Sequence, residues 1–256
     1  MLENIDIKTI VTIARTAGEA IMEVYAQDFT VEYKEDYSPL TQADTKANAI
    51  IVEGLNALAL SFPILSEEGK AIAYDERKNW EYFWMVDPLD GTKEFIKKNG
   101  EFTVNIALIH HGIPVLGVVY APALEEMYWA KKGEGAFKNG VALPLKVNST
   151  PEKIVTVVAS KSHLSEETQA FIENVRSSTE VLHFSSRGSS LKLCMVAEGS
   201  ADIYPRLAPT MEWDTAAADA IVRESGKMTY QYATTLPLDY NKENLLNPWF
   251  VVTKRF

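Results

Sequence analysis

Cysteine is nearly absent from this 256-residue chain. Cys194 stands alone, so neither a disulfide framework nor a cysteine-based zinc site can be built within it. It lies in the apolar stretch 191–197 and reads as a small buried hydrophobe. Long apolar runs are missing too, and none reaches the ~20 residues that span a bilayer. The N-terminus lacks the basic and apolar segments of a signal peptide. The expectation is a cytoplasmic protein with no integral membrane segment, compatible with peripheral membrane association. Positive charge is in deficit: 25 Lys and Arg face 35 Asp and Glu, for a net charge of −10. Such a chain repels polyanions, which disfavours nucleic acid as a partner. A small phosphorylated substrate stays open, because bound divalent cations reverse the local field. The bland reading of the acidic excess is a solvated surface.

Hydrophobic residues at 46% and charged residues at 23% match a soluble globular protein and exclude disorder. Ile10, Ile13, Ala14, Ala17, Ile21, Val24 and Tyr25 recur at helical spacing and predict an opening helix. A strand is expected over 29–34, a loop over 36–41 and a second helix over 42–61. Short apolar runs predict strands at 63–65, 82–86, 103–110, 115–120 and 127–130, with a hairpin at Lys138-Asn139-Gly140. The second half alternates: strand 154–159, helix 165–175, strand 181–184, helix 189–198, strand 202–204, helix 213–225. That rhythm indicates a layered α/β arrangement. Two tightly packed halves are expected, 1–148 (α+β) and 149–256 (α/β). Oligomeric state is not legible.

Three acidic clusters each sit where an element ends. Glu67-Glu68 follows one short strand, Asp87 and Asp90 flank a Pro-Leu turn after another, and Asp214 lies at a predicted helix start. Alone, each has an ordinary reading: a solvated loop, a capped turn, a helix-start charge. Together they offer the oxygen ligands that Mg²⁺ demands, with the Leu89 carbonyl as a further donor. Gly91 and Thr92 add N–H groups suited to a phosphate oxygen. The calcium-loop, phosphate-loop, dinucleotide-fingerprint, Gly-x-Ser-x-Gly and His-Glu-x-x-His patterns do not occur.

Asp87-Pro-Leu-Asp90-Gly-Thr92, the upstream Glu67-Glu68 and Trp213-Asp214-Thr-Ala-Ala resemble the inositol monophosphatase superfamily of magnesium-dependent, lithium-sensitive phosphatases. Lys93-Glu94-Phe95, Asn99 to Leu108, Ala159 to His163 and Gly188-Ser-Ser-Leu-Lys192 are most similar to its bisphosphate nucleotidase branch, linked to sulfur metabolism. Lys161 departs from that branch, which usually has arginine there. The resemblance implies a sugar-phosphatase-type α-β-α-β-α sandwich. It also implies that Glu67, Asp87, Asp90, Asp214 and the Leu89 carbonyl hold two Mg²⁺ ions. Asp44 would sit beside the attacking water and help place a more labile third ion. Thr92 would hydrogen-bond that water, and the Gly91 and Thr92 N–H groups would hold the phosphate. Gly188, Ser189, Ser190, Lys192 and His163 would face the nucleotide. Their ordinary reading is a capped helix start with a surface lysine, plus a loop histidine. The expected reaction removes the 3'-phosphate of adenosine 3',5'-bisphosphate. The alternatives are an inositol or other sugar monophosphatase on the same scaffold, or a non-catalytic metal-binding protein.

Overall fold

The computed structural model describes residues 1–33, 39–145, 154–160 and 165–254. α1 (Ile7–Tyr25) is capped by the Asp6 carboxylate and buries the predicted stripe Ile10, Ala14, Ala17, Ile21 and Val24. β1 (Val31–Tyr33) pairs antiparallel with β2 (Pro39–Thr41), so the end of the expected loop is in fact a strand. α2 (Gln42–Asn56) starts at a capping box in which Thr41 and Asp44 satisfy each other's backbone N–H groups. It stops five residues before the expected end, at Asn56, a weak helix former that favours termini.

There follow β3 (Ile64–Ser66), α3 (Tyr74–Arg77), β4 (Tyr82–Asp90), α4 (Thr92–Ile96), β5 (Thr103–His110), β6 (Ile113–Ala121), β7 (Glu126–Lys131), β8 (Gly135–Lys138) and β9 (Val141–Ala142). The second half holds β10 (Ile154–Ala159), α5 (Glu166–Ser178), β11 (Val181–Ser186), α6 (Leu191–Glu198), β12 (Tyr204–Arg206), α7 (Ala216–Glu224), β13 (Lys227–Gln231) and β14 (Phe250–Lys254).

β3 to β9 form one sheet in sequence order, with β3 parallel to β4 and the other pairs antiparallel. Its central strands are apolar on both faces because both are covered. Trp84 and Val86 of β4, with Val104, Ile106 and Leu108 of β5, pack against α1 and α2. Phe83 and Met85, with Ala107 and Ile109, pack against α6 and α7 on the other face. Gly117 in β6 permits the approach of α7, since a Cβ there would stand 2.1 Å from the Ala217 carbonyl oxygen. Beyond α6 and α7 lies a second layer, in which parallel β10–β11 meets β12-β14-β13 through a bridge between Val157 and Ile203. α5 covers it through Ile172, packed on Val157 and Ala159. The layers therefore run α-β-α-β-α. The boundary expected at 148/149 falls outside the described residues.

The strand expected to end at Val86 continues to Asp90 through an irregularity. Asp87 pairs with Asn105 and Asp90 with Thr103, so three steps along β4 match two along β5. The extra residue is a β-bulge, and Pro88 sits inside it, where no ladder N–H is needed.

Candidate active site

In a regular strand, residues three apart point to opposite faces. The bulge cancels that alternation. Asp87 and Asp90 stand opposite Asn105 and Thr103, which share a face, so both carboxylates point to the same side of the sheet. The Pro-Leu turn expected from the sequence is a bulged strand end. The Leu89 N–H donates to Asp87 Oδ1 at 3.1 Å and fixes that carboxylate.

Other segments bring their ligands to this strand end. Glu67 follows β3 directly, and its N–H donates to the Val86 carbonyl at 3.1 Å. Asp214 does not lie in the first turn of its helix as expected. It precedes α7, and its Oδ2 accepts from the Thr210 hydroxyl at 2.6 Å and the Met211 N–H at 2.9 Å, pinning the 210–214 loop. Oxygens of Glu67, Asp87 and Asp214 all lie within 4.8 Å of one another. Asp90 is outside that triad, and its Oδ2 accepts the Ser190 N–H at 2.6 Å.

Asp44 arrives on the first turn of α2. Its Oδ2 is taken by Thr41, from the N–H at 2.8 Å and the hydroxyl at 2.7 Å. Its Oδ1 faces the Thr92 hydroxyl at 3.2 Å. The Leu89 carbonyl is 3.3 Å from the same hydroxyl. Thr92 has one proton, so it can satisfy only one of these acceptors at a time. Gly91 precedes α4 with a φ of 92°, a left-handed backbone that glycine adopts without strain.

So many acids in one place distort one another's titration. Burial, then the charges of Glu67, Asp90, Asp214 and Asp44, raises the Asp87 carboxyl well above the ordinary range. Burial and Asp214 push Asp90 up to about 8 against the pull of Lys192. Burial pushes Asp214 up to about 6 against its hydrogen bonds, and it raises Asp44 against those from Thr41. Asp87 Oδ2 is buried with no hydrogen-bond partner. An orphaned buried carboxylate oxygen beside two further carboxylates, all hard donors, fits a divalent cation of the magnesium class.

The segment before α6 builds the other side. The N–H of Gly188 donates to Glu101 Oε2 at 2.9 Å. Ser189 holds a positive φ of 43°, and its buried hydroxyl has no partner. Ser190 does not cap α6 with its side chain. Its hydroxyl instead donates to Asn105 Oδ1 at 2.8 Å and lies 2.9 Å from Thr103 Oγ1, while Asn105 Nδ2 donates back to Thr103 at 3.3 Å. This closed ring of three side chains fixes the segment whose N–H holds Asp90. Lys192 is buried, contrary to a surface lysine. Its ammonium donates to the Ser189 carbonyl at 2.6 Å and the Arg187 carbonyl at 3.2 Å, and burial pulls it down to about 8.

One cleft is lined by Asp90, Gly91, Gly188, Ser189, Ser190, Lys192 and Asp214, together with Glu94, Tyr204, Thr210 and Arg206. Arg206 was not legible as a site residue. It stands in a short Tyr-Pro-Arg strand with no local motif, and the pairing of β12 with β14 brings it here. Its Nε has no protein partner. Thr41 could have been found, because Thr-x-x-Asp has the form of a capping box. His163 and Lys161 lie outside the described residues.

Residues 3–249 match the model of the inositol monophosphatase family. The chain is 47% identical to the 3'(2'),5'-bisphosphate nucleotidase CysQ of Salmonella typhimurium, with 94% of this chain and 96% of that protein covered. The crystal structure of CysQ from Bacteroides thetaiotaomicron superposes with a TM-score of 0.88 at 45% identity, covering 98% of this chain and 97% of that one. The extragenic suppressor protein suhB from Bartonella henselae gives 0.78 at 25% identity over 96% and 93%. With its bulged Asp-Pro-Leu-Asp strand end, its layer order and a match over nearly its whole length, the chain belongs to the inositol monophosphatase family.

Proposed function

We propose that this chain is a Mg²⁺-dependent 3'(2'),5'-bisphosphate nucleotidase that converts adenosine 3',5'-bisphosphate to AMP and phosphate. The observation that carries the substrate is the cleft beside the acids, which places two cations, Lys192 and Arg206, next to Asp90 and Asp214. A monophosphate held at the carboxylates leaves the remaining donors of those cations unmatched, whereas a bisphosphate presents one phosphate to the carboxylate-held cations and the other to Lys192 and Arg206. A relative 47% identical to this chain, with 94% of it covered, carries the nucleotidase name, which supports the reading.

Glu67, Asp87, Asp90, Asp214 and the Leu89 carbonyl would hold the cations. When bound, Mg²⁺ supplies Lewis acidity that activates water and neutralises phosphoryl charge. The remaining work is positioning. Thr92 Oγ1 accepts a hydrogen bond from the attacking water while donating to Asp44 Oδ1, which aims the water's lone pair at phosphorus. The N–H groups at the start of α4 hold phosphoryl oxygens. Lys192 has spent two of its three donors on carbonyls, so one remains for the cleft.

Phosphate release should depend on Mg²⁺. It should favour adenosine 3',5'-bisphosphate over inositol 1-phosphate by at least ~10²-fold in kcat/KM. Arg206→Ala should raise KM for the bisphosphate about 10- to 100-fold, the size of a charged hydrogen bond. Equal efficiency on both substrates would favour the sugar monophosphatase reading, and no release on either would favour a non-catalytic metal binder.

A further inference from the structure

The end of the large sheet remote from the carboxylates holds a second group of ligand atoms. β5 ends at His110, and His111-Gly112 turns the chain into β6 with φ of 48° and 74°. Two positive φ values in a two-residue loop mark a tight hairpin turn, which fixes where His111 stands. The His111 N–H donates to the Glu81 carbonyl at 3.0 Å, tying the turn to the residue before β4. The His110 ring lies on Tyr82, 4.0 Å between centroids and 13° from parallel, and 4.4 Å from the His111 ring. Glu81 Oε1 is 3.5 Å from His110 Nε2 and 4.0 Å from His111 Nε2. The three ligand atoms all lie within 4.8 Å of one another.

We propose that Glu81, His110 and His111 form a zinc site separate from the catalytic centre. Two imidazoles and a carboxylate are a three-ligand zinc donor set, with water completing a tetrahedron. Zinc–ligand bonds of about 2.1 Å at tetrahedral angles set ligand atoms roughly 3.4 Å apart. The observed separations reach that by small side-chain movements, and the Glu81 and His111 side chains, 54% and 67% exposed, can make them. The two centres sort cations by chemistry, since the oxygen-lined one suits Mg²⁺ while imidazole nitrogen suits zinc. They are also far apart. Glu81 and Asp87 are six residues apart along an extended strand, about 20 Å at ~3.3 Å per residue. An ion here bridges the start of β4 to the β5–β6 hairpin and so clips three strands.

The test is calorimetric titration of the full chain with Zn²⁺ in a large excess of Mg²⁺, which occupies the carboxylate centre. The wild type should take up one Zn²⁺ that His111→Asn and Glu81→Gln each weaken by at least about 100-fold, beyond the 10- to 100-fold lost with a ligand's supporting partner. Asparagine tolerates the left-handed backbone, so the turn survives. Zn²⁺ should raise the Tm of the wild type and not of His111→Asn, and phosphatase activity of that variant in Mg²⁺ alone should equal wild type. Zinc that displaces Mg²⁺ from the carboxylates would appear equally in wild type and both variants. Uptake identical in all three proteins, or none in the wild type, would overturn the site.

Discussion

Asp44 and Thr92 make the narrowest claim on the chemistry. Their 3.2 Å separation lets the hydroxyl donate to the carboxylate, which under the proposed mechanism leaves its lone pairs to accept from the attacking water. Groups acting in series are not additive, because once one is lost the other has little left to do. Thr92→Ala and Asp44→Asn should each reduce kcat by ~10²–10⁴-fold, the range of general acid–base effects, with the double variant only slightly worse. Asparagine can keep the Thr41 cap with its carbonyl oxygen while turning an amide toward Thr92, so Tm should change little for Asp44→Asn. Strictly additive losses in kcat, or a Tm loss that accounts for the activity loss, would reduce the pair to helix-start and turn residues. Asp90→Asn should lower activity by ~10³-fold or more, because a charge and a proposed metal ligand vanish together. Near-normal turnover in that variant would remove Asp90 from the mechanism.

At the level of elements, the site depends on how closely α7 can approach β6. Gly117→Ala would set a methyl group 2.1 Å from the Ala217 backbone oxygen, and no rotamer change can relieve a clash between two backbone-fixed atoms. Helix and sheet must separate, at a cost of about 1–3 kcal/mol or more. The Asp214 loop leads directly into that helix. Thermal melts and Mg²⁺ titration of Gly117→Ala should therefore show lower stability and weaker metal affinity together. Unchanged Mg²⁺ affinity would mean that the 210–214 loop is held by its own hydrogen bonds alone.

For the whole molecule, the clustered acids reverse the usual effect of pH on stability. A typical paired carboxylate has a depressed pKa and stabilises the fold above that value. Here Asp90 is raised to about 8, Asp214 to about 6, and Asp87 well above its ordinary value. Between the unfolded carboxylate range near pH 4 and about pH 8, these three carboxyls hold more protons in the native state than in the unfolded state. Stability therefore falls as pH rises through that window. Lys192, held down to about 8, acts only above it. The metal-free protein should lose Tm from pH 5 to pH 8. Saturating Mg²⁺ should flatten the decline and raise Tm at pH 8 by about 5–10 °C, as a ligand at ~100 times its Kd does for a chain this long. A metal-free Tm that rises over this range would show that the acids are compensated in some other way.

The chain by itself determined the elements whose signals are local. The 3.6-residue stripe of α1, the bounds of β5 and β10, and the Asn139-Gly140 turn follow from short-range periodicity and backbone preference, and they stand in the structure as read. The oxygen-donor chemistry of the acidic clusters was equally legible, because ligand hardness belongs to residue type. Tertiary structure alone decided what those residues face. The bulge that turns Asp87 and Asp90 to one side is defined by pairing with β5, and no local pattern announces it. Lys192 is buried because α6 packs between two sheets, and Arg206 reaches the cleft because β12 pairs with a strand more than forty residues later. Register and burial arise from contacts between distant segments, so a single sequence carries them only as a sum over partners that folding selects.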